Sequence, residues 1–165
     1  MSDLVIMVDL DGTLKTESDA VGPFEVDSLT VTSGPKKYTF GARPHMHEFL
    51  IAGKSKAKLY LGTAGGGGYA RRVLNAMGID NYFDGIIAAE NFRDGMSCFR
   101  EFTNAIYIDN DEEIARLKIS KIQGTYLFRN SSRIPNKQDM WIIDTFLGKK
   151  DDKTLLELAE EIRRL

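Results

Sequence analysis

Five consecutive apolar residues, Leu4–Val8, run straight into Asp9-Leu10-Asp11-Gly12-Thr13. A Leu/Val/Ile/Met run this short reads as a strand buried on both faces, and strands of that kind belong to parallel sheets covered by helices. Gly12 lets the chain turn away at once. The pattern recurs: Lys58–Leu61 ends at Gly62-Thr63, "FDGIIAA" leads toward Arg93, and "NAIYIDND" ends in Asp109-Asn110-Asp111. Helical spacing fills the gaps. Pro44 is predicted to open a helix carrying Phe49 and Leu50. Tyr69, Val73, Leu74 and Met77 follow four glycines and stop at Gly78, and Glu112–Leu117 is also predicted helical. "GTYLF" reads as a last strand, with Trp141–Leu147 and Thr154–Leu165 as closing helices. Strands alternating with helices give an α/β fold, a doubly wound, Rossmann-like parallel sheet with helices on both faces. One feature interrupts the alternation. Two β-like runs around Ser33-Gly34-Pro35 predict a small β-hairpin insert after the first strand, at about 22–42.

At 165 residues, the expectation is one domain over 1–165. A net charge of −2 supplies no global basic field for a nucleic-acid backbone. Cys98 is the only cysteine, which excludes an internal disulfide and fits a reducing, cytoplasmic setting. No apolar run approaches membrane-helix length, and Leu4–Val8, preceded by Asp3, is too short for a signal-peptide core.

Open parallel sheets place their sites at the carboxyl ends of the strands, where these polar residues fall. Residues i and i+2 of an extended segment point to one side, so Asp9 and Asp11 are expected to converge. Two carboxylates about 4 Å apart repel by roughly 4 kcal/mol at a surface-like dielectric. A fold tolerates that with a cation or by protonating one partner. Both solutions suit phosphoryl transfer: one Asp attacks phosphorus, the other protonates the leaving alcohol, and a divalent ion neutralises phosphate charge. The plainer reading is an Asp-Gly turn with solvated acids. Asp109-Asn110-Asp111 offers oxygen ligands suited to Mg²⁺, while Asp111 also reads as a helix cap. Thr63, ahead of a helix, is placed to bind a phosphate oxygen or simply to cap. Arg93 is suited to bidentate phosphate binding or to a solvated surface.

Taken together, these segments resemble a known family. "VDLDGTL" is similar to the first motif of the haloacid dehalogenase superfamily of aspartate-nucleophile phosphatases, and "MGIDNYFDGIIAAE" resembles the stretch before its third. Within it the chain resembles the RNA polymerase II C-terminal-domain (CTD) phosphatases, the NLI-interacting-factor-like family. "RPHMHEFL", "TAGGGGYARRVL", "IDN" and the closing "DTFLGKKDDKTLLELAEEIRRL" carry that likeness. The resemblance implies a nucleophile at Asp9 and a general acid, then base, at Asp11. It implies phosphate contacts from Thr63, the Ala64 amide and Arg93, the last standing where the family carries lysine. It implies Mg²⁺ held by Asp9, the Asp11 carbonyl and Asn110, with Asp109 as ligand or close support. Two departures bear on substrate more than chemistry: Gly12 stands where CTD phosphatases carry a larger polar residue, and Arg71-Arg72 replace an acidic-proline pair.

The hairpin-sized insert is too small for a lid that encloses a metabolite. An open site suits a phosphorylated peptide, with a nucleic-acid end as the alternative partner and no membrane. Three activities stay open. They are a protein phosphatase, a polynucleotide 3′-phosphatase or nucleotidase, and a phosphate- or peptide-binding module with little turnover. The four glycines of "TAGGGGYA" read as a turn whose amides approach a phosphate, with the helix beginning near Tyr69. Phe24, Tyr38 and Phe40 either pack the hairpin or line a groove. Arg71 and Arg72 either meet a second anion or form a solvated helix face. His45 and His47 lack metal-ligand companions.

Overall fold

The computed structural model describes residues 4–93, 104–122 and 140–165. Its strands are β1 (Val5–Val8), β2 (Ser28–Ser33), β3 (Lys36–Gly41), β4 (Lys58–Gly62), β5 (Gly85–Ile87), β6 (Ala105–Asp109) and β7 (Met140–Ile142). Its helices are α1 (Met46–Lys56), α2 (Gly67–Met77), α3 (Ala89–Arg93), α4 (Glu112–Ile122) and α5 (Thr154–Arg163). β1 pairs in parallel with β4 on one side and β6 on the other, giving a five-stranded sheet ordered β5-β4-β1-β6-β7. Every residue of β1 is buried, as a central strand with helices on both faces requires. Ile6 and Val8 join Phe49 and Leu50 of α1, Val73 and Leu74 of α2, and Leu155 and Ile162 of α5 in one apolar core.

The expected hairpin is present as β2 and β3, in antiparallel register around a turn with Gly34 at φ 61°. It sends Val31 and Phe40 into the core and packs beside α2, so the insert borders the strand ends. Among the described residues no helix is long and apolar enough to cross a membrane.

The sequence reading needs correction at several points. Pro44 lies two residues before α1, and His45, at φ 67°, makes the turn into the helix. α2 starts at Gly67, so two of the four glycines are helical and only Gly65 and Gly66 turn the chain. A short helix, α3, follows β5, where none was expected. Trp141–Leu147 is not a helix. Trp141 belongs to β7, the edge strand beside β6. The residues after it are spent on outside partners: the Ile143 amide donates to the Asp109 carbonyl and the Phe146 amide to the Gly12 carbonyl. "GTYLF" and Cys98 lie outside the described residues.

Candidate active site

The strand registers assemble the site. Val8 of β1 lies opposite Leu61 of β4 and Ile108 of β6, so Asp9, Thr63 and Asp109 emerge at neighbouring carboxyl ends. Asp9 is buried, and its amide donates to the Ile108 carbonyl at 2.9 Å. Its Oδ2 accepts a 3.0 Å hydrogen bond from the Thr13 hydroxyl, which also lies 3.2 Å from Asn110 Oδ1. The Asn110 amide nitrogen donates to Glu17 Oε1 at 3.1 Å and to Thr145 Oγ1 at 3.0 Å. Two acceptors on that nitrogen turn Asn110 Oδ1 toward Thr13 and Asp9. Gly12, at φ 83°, makes this packing feasible, since a Cβ there would stand 2.7 Å from Glu17 Oε1. Burial raises the Glu17 carboxyl above its ordinary range; the Asn110 hydrogen bond opposes this and the Asp11 charge adds to it.

Asp11 is handled differently. Lys15, four residues on, places Nζ on Asp11 Oδ1 although its side chain is wholly buried. That ammonium also donates to the Thr16 carbonyl at 2.7 Å and lies over the Phe40 ring, 5.1 Å from its centroid. The Tyr69 hydroxyl donates to the same Asp11 Oδ1 at 2.8 Å. Burial, and then the Asp11 charge, push the Tyr69 phenol well above its ordinary range, so it stays a donor. Asp11 thus has a positive charge supplied by the chain itself.

Thr63 is buried, but its hydroxyl accepts from the Gly65 amide at 3.1 Å, closing the turn ahead of α2. The Gly67 amide donates to both Glu90 oxygens, at 3.0 and 3.1 Å. Two of the glycine amides expected to cradle a phosphate are thus spent on Thr63 and Glu90. Ala64, between strand and helix, is exposed. Arg93 ends α3, and its side chain lies outside the described residues. Arg71 and Arg72 are exposed and border a cleft of about 550 Å³ between α2 and the edge strand β5. Asp109 Oδ1 accepts from the Asp111 amide, and Asp111 Oδ1 accepts from the Ile114 amide, capping α4 as expected. Tyr38 lies tilted against Tyr69 with centroids 4.9 Å apart, while Phe40 is buried, so both pack the hairpin. His45 lies 3.5 Å from Glu48 and His47 3.2 Å from the Tyr82 hydroxyl.

Arg43 is the support that sequence reasoning missed. Wholly buried, it donates to the Thr13 carbonyl at 3.1 Å and the Asp144 carbonyl at 2.9 Å. It also grips Asp152 through Nε and Nη2, at 2.9 and 3.0 Å. Burial disfavours the Asp152 carboxylate, but the Arg43 hydrogen bonds and charge outweigh this and hold its carboxyl below the ordinary range. Nothing in sequence marks Arg43, Lys15 or Glu17 beyond their nearness to motifs; their partners lie across the fold or on the far side of a turn.

The donors fit a hard cation. Asp9 carboxylate oxygen and Asn110 Oδ1 share the Thr13 hydroxyl, beside a glycine whose missing Cβ lets Asn110 and Glu17 pack there. Among the described residues no three His, Cys, Asp or Glu side chains form a cage. Carboxylate and amide oxygens of this kind suit Mg²⁺ better than Zn²⁺.

Comparison with known proteins agrees with this architecture. No curated protein matches the chain by sequence. Two similar solved structures are a fission yeast RNA polymerase II CTD phosphatase, an arginine-to-alanine variant of Fcp1 bound to beryllium fluoride, and Fcp1, described as an essential RNA polymerase II CTD phosphatase. The first is 17% identical with a TM-score of 0.57. The second is 17% identical with a TM-score of 0.56. Each match covers 98% of this chain and 62% of the other, so the chain spans less than two thirds of these relatives' length. At that identity the likeness carries the fold. The model for the NLI interacting factor-like phosphatase family matches residues 4–165, and the chain belongs to that family.

Proposed function

We propose that this chain hydrolyses phosphomonoesters through an aspartyl-phosphate on Asp9, with Mg²⁺, and that its substrate is phosphoserine or phosphothreonine in a protein or peptide. The observation that carries the reading is Asp9 itself: a buried carboxylate at the end of the central strand, fixed by Thr13 and flanked by Asn110. A buried acid held this way is an oriented nucleophile rather than a solvated turn residue.

In the first step an Asp9 oxygen bonds to phosphorus while the bond to the leaving oxygen breaks. That oxygen keeps the electron pair and takes a proton from Asp11. In the second, water attacks phosphorus, gives a proton to Asp11, and the bond to Asp9 breaks, releasing phosphate. Thr63, the Ala64 amide and Arg93 hold the non-reacting oxygens. Asp9, the Asp11 carbonyl and Asn110, with Asp109 adjacent, would hold Mg²⁺, which supplies positive charge to the phosphoryl group. The substrate class is supported by the hairpin, a small insert beside the strand ends, and by relatives described as CTD phosphatases. A reducing, cytoplasmic setting is part of the proposal.

The test is hydrolysis of p-nitrophenyl phosphate with and without Mg²⁺, followed by a panel of phosphopeptides, 3′-phosphorylated oligonucleotides and nucleotides. Metal-dependent turnover with preference for phosphopeptides is expected. Preference for nucleic-acid ends overturns the substrate, and absence of metal-dependent turnover overturns the enzyme.

A further inference from the structure

Asp11 receives both of its hydrogen bonds on one oxygen. Among the described residues, Lys15 Nζ and the Tyr69 hydroxyl both meet Oδ1. We propose that Lys15 and Tyr69 are positioning residues that saturate Asp11 Oδ1, so that Asp11 Oδ2 is the atom that delivers and recovers the proton. The proposal rests on the general-acid reading above.

Three observations support it. First, both donors are anchored by contacts of their own. Lys15 is pinned in the acid turn, its carbonyl accepting from the Gly12 amide at 2.8 Å, and Tyr69 is braced in α2 by Tyr38. Second, Lys15 is wholly buried; its ion pair is with Asp11, and Glu17 lies near enough to feel its charge. Third, this pair is a poor stabilising device. Taking two charges out of water costs much of what their attraction returns, and Asp11 keeps 20% of its side chain exposed, so water can solvate it without Lys15. A buried lysine aimed at a strand-end carboxylate, in an ion pair that returns little net stability, points to control of that carboxylate. With Oδ1 held by two donors, a proton on the carboxyl resides on Oδ2. The leaving oxygen takes that proton as its bond to phosphorus breaks, and water returns one in the second step.

The experiment compares wild type, Lys15→Met, Tyr69→Phe and Asp11→Asn on two substrates, a phosphoserine peptide and dinitrophenyl phosphate. The alkoxide of serine needs a proton to leave, whereas dinitrophenolate does not. A misplaced acid therefore lowers the peptide-to-dinitrophenyl rate ratio, by about tenfold or more given what a positioned general acid contributes. Lys15→Met and Tyr69→Phe are expected to show that drop, with Lys15→Met melting at or above the wild-type temperature. Should Lys15→Met fail to fold, Tyr69→Phe, which keeps the ring, carries the comparison. If Asp11→Asn lowers the ratio and the two clamp variants leave it at the wild-type value, the clamp is wrong and the acid assignment stands. If Asp11→Asn leaves the ratio unchanged, the acid assignment fails and the clamp falls with it.

Discussion

Gly12 holds a backbone conformation that other residues adopt at a cost, in a space two side chains already border. At φ 83°, a Cβ would stand 2.8 Å from Asn110 Cγ and 2.7 Å from Glu17 Oε1. Gly12→Ala should therefore lose about 1–2 kcal/mol from the left-handed backbone alone, and more from the displaced side chains; a thermal melt reads the sum. The same crowding shows what Glu17 does. By accepting from the Asn110 amide it helps aim Asn110 Oδ1 at the proposed cation. Glu17→Ala should weaken Mg²⁺ binding about tenfold, as loss of a ligand's outer support does, measured by calorimetry without substrate. Arg43 works on the fold instead. Arg43→Ala strips Asp152 of its ionic partner, leaving it the Thr154 amide, and removes a donor from two carbonyls; it should cost about 3–5 kcal/mol by denaturant unfolding, and lysine, lacking the planar fork, should not rescue it. The strand-end positions of Asp9 and Asp109, and of Asp11 and Asn110 just beyond them, were legible because their motifs are local. Lys15, Glu17 and Arg43 were not, because an unpaired charge and a paired one look alike in sequence until the fold chooses partners.

At the scale of elements, the junction between β4 and α2 shows where local signals mislead. Four glycines argue against helix, yet Gly67 and Gly68 lie within α2, because Glu90 caps the first turn from α3 and Tyr69, Ala70, Val73 and Leu74 bury one face. Neither Gly66 nor Gly67 has a positive φ, and a Cβ at Gly67 would meet only side-chain atoms, 3.2 Å away at closest. Gly66→Ala with Gly67→Ala should therefore keep the fold, the helical position at Gly67 gaining up to about 1 kcal/mol and the N-cap position at Gly66 giving part of it back. It should also change KM for a phosphopeptide, since both positions border Glu90 in the turn that follows Thr63. Unchanged kinetics would make the glycines a neutral loop. Among the strands read correctly, β1 and β6 are short apolar runs with both faces buried, where periodicity leaves little choice, and the hairpin was marked by its Gly-Pro turn. β7 was misread because three residues at a sheet edge carry no period, and its strand character comes from pairing with β6.

For the molecule as a whole, the parallel sheet brings together residues far apart in sequence, and the closing segment locks them in place. Phe146 bonds back to Gly12, and Asp152 binds Arg43, which holds Thr13. Because Asp152 is held below its ordinary value of 3.8, its contribution is present above that value and lost as pH falls through the folded-state value. Acid unfolding should steepen in that window, and Asp152→Asn should flatten it; a pH series of denaturant melts checks the sign. The central claim is that this scaffold presents Asp9 as a nucleophile. Acid quenching of the protein during turnover of a radiolabelled phosphomonoester with Mg²⁺, followed by peptide mapping, tests it directly. The account predicts a hydroxylamine-labile phosphoryl group on Asp9 that is absent in Asp9→Asn. Turnover with no label on Asp9, or undiminished turnover in Asp9→Asn, would contradict it.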